Sequence, residues 1–198
     1  MRPGSAFTGL VVLAAMWLQT LPARAQQPEP VPVPSLPNEY TMKAVFLYSF
    51  GRYVQWPEKA FANASDPFVI GILGEDPFGG ALDEIAAKKT IQARQIVVLR
   101  FASLEDYRQP SHILFVSRSL TNDQQAALLA RNAGQPVFVV GETPGYAERG
   151  ANANFFIDGD RVRFELNVDI ARQAQLRMDA KLLSLGKPVG VQRSAASY

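Results

Sequence analysis

Pro67-Phe68-Val69-Ile70-Gly71-Ile72-Leu73-Gly74-Glu75-Asp76-Pro77-Phe78 decides the fold. Residues 67–74 are an unbroken apolar run, as a strand covered on both faces requires. Asp76 then offers an N-cap, with Pro77 in the first helical position. Phe78, Ala81, Leu82, Ile85 and Ala86 fall at i, i+3, i+4, i+7 and i+8, a single helical stripe. A buried strand feeding an amphipathic helix is the first half of a parallel β-α-β unit.

Downstream the pattern repeats. Residues 95–99, 112–116 and 136–141 read as three more apolar strands. Thr121 and Gln124 form a capping box for a helix ending near Asn132, with Gly134 just beyond. The alternation then stops. Residues 154–157 and 161–166 flank Asp158-Gly159-Asp160 and read as a hairpin. In its second strand Val162, Phe164 and Leu166 alternate with Arg161, Arg163 and Glu165, so one face meets water or a partner. Asn167 caps a predicted last helix with the stripe Ile170, Ala174, Met178, Leu182 and Leu185, ended by Gly186. Upstream, Asn38 is the predicted cap of a helix over 39–55, stopped by Trp56-Pro57, with apolar residues on most of its circumference. The expected fold is α/β: a single three-layer sandwich with a mostly parallel sheet and a C-terminal antiparallel hairpin.

The chain has 198 residues, 47% of them hydrophobic, which excludes a disordered protein. Arg2, the apolar stretch 6–18 and Ala23-Arg24-Ala25 read as a signal peptide over 1–25 with its cleavage site. Setting aside Arg2 and Arg24 lowers Lys+Arg from 20 to 18, against 18 Asp+Glu. The processed chain is therefore neutral, and nucleic acid, which demands a basic surplus, is not an expected partner. Residues 26–38 are a proline-rich tether, 39–186 the folded domain and 187–198 a disordered tail. The reading places the protein in the periplasm.

Chemistry is constrained as tightly. Without Cys, and with His112 as the only His, disulfides, thiol nucleophiles and a His-rich metal site are excluded. Ligands of open α/β sheets gather beyond the carboxyl ends of the strands. That rule nominates Glu75, Asp76, Ser117 and Glu142 as a crevice for a small ligand. The glycines near 71–80 lack a phosphate-loop pattern, and two acids at that turn repel phosphate. A hydrolase would have to recruit His112 with Ser111, Ser117 or Ser119, yet Ser111 and His112 point to opposite faces of a strand. No cofactor, metal or enzymatic activity is expected.

Five ordered segments carry a family resemblance. They are 43–50 running to Trp56-Pro57, 71–79, 112–117, 144–150, and 161–167 leading into Lys181-Leu182-Leu183. Over about 40–185 the chain resembles the YfiR family of exported regulators. The resemblance implies a non-enzymatic periplasmic protein that represses an inner-membrane signalling partner such as a diguanylate cyclase, through that enzyme's periplasmic sensor region. It also implies release by a peptidoglycan-associated outer-membrane partner. Many members carry a cysteine just before the strand histidine, where this chain has Ser111, so redox sensing does not carry over. Phe46, Tyr53, Trp56, Tyr146, Arg163 and Glu165 are the expected partner-binding residues, aromatics and Arg being frequent hot spots. A second copy of the chain is a further candidate partner. The alternative function is a periplasmic small-ligand sensor or carrier using the strand-end crevice.

Overall fold

A computed structural model describes residues 38–190. The expected leader and all of the tether except Asn38 lie outside the described residues. Chain order begins with α1 (Glu39–Tyr53) and β1 (Val54–Gln55), then β2 (Phe68–Leu73) and α2 (Ala81–Lys88). It continues through β3 (Thr90–Ile91), β4 (Arg94–Phe101), β5 (Ile113–Val116), α3 (Asn122–Asn132) and β6 (Phe138–Gly141). The hairpin β7 (Ala153–Asp158) and β8 (Arg161–Leu166) follows, then α4 (Val168–Gln173), β9 (Arg177–Met178), α5 (Ala180–Leu183) and β10 (Lys187–Pro188).

Eight strands form one sheet in the order β10-β8-β7-β6-β5-β2-β4-β3. The centre, from β4 through β7, is parallel; β7 with β8 and β3 with β4 are antiparallel. β1 and β9 make a separate antiparallel pair. Alternation along each central strand divides the core between two layers. On β5, Ile113 and Phe115 join Leu47 and Phe50 of α1 and Leu82 of α2. Leu114 and Val116 face the other way and join Leu128 of α3. This is the expected α/β sandwich with a mostly parallel sheet and a terminal hairpin. In the hairpin Asp158 pairs with Arg161, so Gly159, at φ 62°, and Asp160 form the two-residue turn.

Three local expectations are corrected. Asn38 stands at the start of α1 in a left-handed conformation (φ 69°), and its side chain caps nothing. Asp76 does not begin a helix. Its Oδ1 accepts from the Phe78 N–H at 2.8 Å, a side-chain turn, and α2 starts only after Gly79 and Gly80. The predicted last helix is broken into α4, β9 and α5, because Gln175 turns left-handed (φ 60°) and Arg177-Met178 pair with Gln55-Val54. Its stripe does not hold, since Leu185 is 59% exposed. Asn167 and the Thr121–Gln124 box cap α4 and α3 as expected. Lys187 and Pro188, assigned by sequence to the tail, pair with Glu165 and Leu166.

Candidate functional site

α1 brings Glu39 and, one turn later, Lys43 into the protein, 5% and 1% exposed. Charges at such depth are tolerated only when each meets an opposite one. Lys43 donates to Glu39 on its own helix and, from Nζ at 2.6 Å, to Oε2 of Glu142. Glu142 directly follows β6, and Arg118 follows β5 by two residues. The Glu142 carboxylate accepts from Arg118 Nη2 at 3.0 Å, Nε at 3.1 Å and the backbone N–H at 3.2 Å. Tyr40 Oη donates to Oε2 at 3.2 Å, and its ring centroid lies 4.5 Å from the Lys43 ammonium. Arg118 also reaches Glu39 at 3.4 Å. Two carboxylates and two cations close a neutral cluster at the carboxyl ends of β5 and β6.

The electrostatics follow from these contacts. Burial pushes the Glu142 carboxyl up, but the Arg118 hydrogen bonds and the Lys43 charge outweigh it and hold it below the usual carboxylate value. Burial, then the Glu142 charge, pushes the Tyr40 phenol up to about 12. The hydrogen bonds to Glu142 raise the Arg118 guanidinium further. With so many donors converging on it, the Glu142 carboxylate is held ionised and serves as an anchor, not as a proton acceptor. Beside it is a cavity of about 310 Å³, whose lining includes Arg118, Gln125, Glu142 and Thr143. The sequence contained a signal for this cluster: Glu39 and Lys43 stand four apart at the start of a largely apolar helix, a spacing that makes an ion pair.

Of the four crevice residues named from sequence, only Glu142 lines that cavity. Asp76 accepts from Arg100 Nε at 2.7 Å. Ser117 is buried, and its Oγ accepts from the Ser119 N–H at 3.3 Å. Glu75 is exposed. At this end of the sheet Asp76, Ser117 and Glu142 are engaged in ion pairs and turn hydrogen bonds.

The six residues expected to bind a partner are also separated. Tyr146 is fully buried, contrary to its expected exposure. Its ring fills the space that a Cβ at Gly141 would occupy, coming within 2.1 Å of that position. Trp56 is a core residue as well: it packs edge-on to Phe68 at 4.9 Å, and its Nε1 donates to the His112 carbonyl at 3.2 Å. Phe46 and Tyr53 remain partly exposed on α1. Phe46 leans on Phe164, centroids 5.2 Å apart. Arg163 and Glu165 flank Phe164 and therefore point to the opposite face of the sheet. There Arg163 pairs with Asp158 at 3.0 Å and Glu165 with Lys187 at 3.4 Å. No single contact surface holds all six. α1 instead presents Met42 (46% exposed) and Val45 (42%), one helical turn apart, next to Phe46. A groove of about 510 Å³ runs from Val45 to Ile85 of α2.

His112 is consumed by the core. Nδ1 accepts from the Val69 N–H at 2.9 Å, so Nε2 carries the proton, which it donates to the Ala60 carbonyl at 3.1 Å. The ring stacks between Phe61 and Phe68, centroids 4.3 and 4.8 Å away. Burial pulls the imidazole below its usual value. The unfolded chain thus binds this proton more readily than the folded one. His112 therefore contributes stability that is complete above about pH 6.5 and declines as the pH falls below it, by up to about 1.4 kcal/mol per pH unit. Urea unfolding from about pH 7.5 to about pH 5 is expected to show that decline, and the His112→Gln variant a flatter profile.

Among the described residues no group of acids and histidines converges to hold a metal, and no helix is long and apolar enough to cross a membrane. A sequence profile of a family described as YfiR/HmsC-like matches residues 40–187, from the first turn of α1 to the start of β10. That family is in general periplasmic and supplies regulators that act through a partner protein in the context of cyclic di-GMP. A search of curated proteins gave no match.

Proposed function

The chain belongs to the YfiR/HmsC-like family, and from that premise we propose that it is an exported, non-enzymatic binding regulator. Its partner is an inner-membrane signalling protein, a diguanylate cyclase engaged through its periplasmic sensor region and held inactive by the contact. A peptidoglycan-associated outer-membrane protein is the counterpart that relieves it. Binding one state of the sensor more tightly than the other is sufficient. Moving the partner from 1:99 to 99:1 takes about 5.5 kcal/mol of differential affinity.

Family membership carries this reading. The surface chemistry supports it: the exposed Met42 and Val45 on α1 suit an apolar segment of a partner better than a soluble metabolite. The engaged nitrogens of His112 support a role without catalysis. Deleting the gene is expected to raise cellular cyclic di-GMP, and restoring the exported chain to return it to the starting level. An unchanged level, measured by mass spectrometry in growing and envelope-stressed cells, overturns the reading.

A further inference from the structure

The opposite, amino-terminal end of the parallel strands holds a cavity that the regulator reading does not use. Its volume is about 470 Å³, and Ser111 and His112 before β5 and Pro136 and Val137 before β6 form its floor. Lys59, Arg108 and Arg131 line it, and no carboxylate does. None of these three cations enters an ion pair among the described residues. In a processed chain with equal numbers of acids and bases, three unpaired cations around one concavity are a local surplus that focuses a positive potential.

Arg131 is held by two contacts. The Arg131 guanidinium lies over the Tyr107 ring, 5.2 Å from its centroid, with Nη1 donating to the Leu104 carbonyl at 3.2 Å. These contacts hold one cation in place in advance of a ligand. At the floor, Ser111 is 3% exposed, with its Oγ packed toward Gly71.

We propose that this cavity binds a small organic anion, its carboxylate or phosphate groups met by Lys59, Arg108 and Arg131. Guanidinium forks match both groups in two-point geometry, and the volume suits a metabolite of modest size. Citrate and glucose 6-phosphate are suitable probes, because they present the two anionic chemistries separately. Calorimetric titration of the processed full-length chain at low salt is expected to show saturable binding of at least one, with Kd below about 1 mM. The Lys59→Ala/Arg108→Ala variant is expected to bind at least about tenfold more weakly. Arg161→Ala/Arg172→Ala, which removes two exposed cations elsewhere, is expected to bind as the parent does. Whichever probe binds more tightly identifies the anionic group. Absence of saturation with both probes, or equal affinity in the Lys59→Ala/Arg108→Ala variant with an unchanged melting temperature, overturns the proposal. Neither outcome depends on whether the protein represses a cyclase.

Discussion

Replacing Glu142 with Gln is expected to cost about 3–5 kcal/mol of folding stability, because it leaves Lys43 buried with one counter-charge gone. Lys43 Nζ lies 2.6 Å from the carboxylate, and the two side chains are only 2% and 1% exposed. Neither can turn to water when the other is removed. For a domain of this size the loss corresponds to a fall in melting temperature of about 10 °C or more. Lys43→Met should cost a similar amount, since it leaves Glu39 and Glu142 facing each other with Arg118 alone between them. Arg118, its side chain 47% exposed, can be replaced by Ala for about 1 kcal/mol. The triple variant Glu39→Gln/Lys43→Met/Glu142→Gln should recover much of the single-variant loss, as apolar or neutral replacement of whole buried clusters often does. The pH dependence has a definite sign. Glu142 is held below its usual value, so its contribution is present above the ordinary carboxylate range and disappears as the pH falls through the folded-state value. The Gln variant should lack that acid limb. Chemical denaturation of the single and triple variants decides the matter: a Glu142→Gln cost under about 1 kcal/mol would mean that the cluster does not pin α1 to the sheet.

What could be read from sequence, and what could not, follows from the range of the forces involved. The central strands were legible because a strand covered on both faces needs a continuous apolar run, and Phe68–Leu73 is one. The α3 cap was legible because both halves of a capping box lie within four residues. Failures came where a distant partner overrode local pattern. The stripe from Ile170 to Leu185 has helical spacing, yet Arg177-Met178 pair with β1, more than a hundred residues earlier. Tyr146 sits in a Pro-Gly turn that reads as surface, and only the tertiary approach of Gly141 reveals the slot for its ring. The strand-end rule places Glu142 beyond β6, but its engagement by Lys43 comes from α1, ninety-nine residues away. Strand alternation puts Arg163 and Glu165 on the opposite face from Phe164, but only the tertiary contact of Phe46 with Phe164 separates them from Phe46.

The separation of those residues sets up the functional prediction. If α1 is the docking face, Met42→Glu/Val45→Glu should abolish repression while the fold stays intact. Both positions are more than 40% exposed, and Glu is a good helix former, so the stability change should stay within about 0.5 kcal/mol. A pair of carboxylates placed against an apolar segment of the partner must be desolvated without compensation. The expected loss is at least about 2 kcal/mol, or roughly 30-fold in affinity, the range of an interface hot spot. The matched control is Arg161→Glu/Arg163→Glu on the opposite face of the hairpin. It adds the same number of carboxylates where Phe46 cannot reach, so an α1 interface should tolerate it. Affinity for the purified periplasmic region of the partner and cellular cyclic di-GMP should change together: both altered in the α1 variant, both near the parental value in the hairpin variant. The reverse pattern, with repression intact in the α1 variant and lost in the hairpin variant, would transfer the interface to the charged face carrying Arg163 and Glu165. Partner recognition would then depend on charge, and the affinity should fall with added salt, whereas an apolar α1 contact should be nearly insensitive to it.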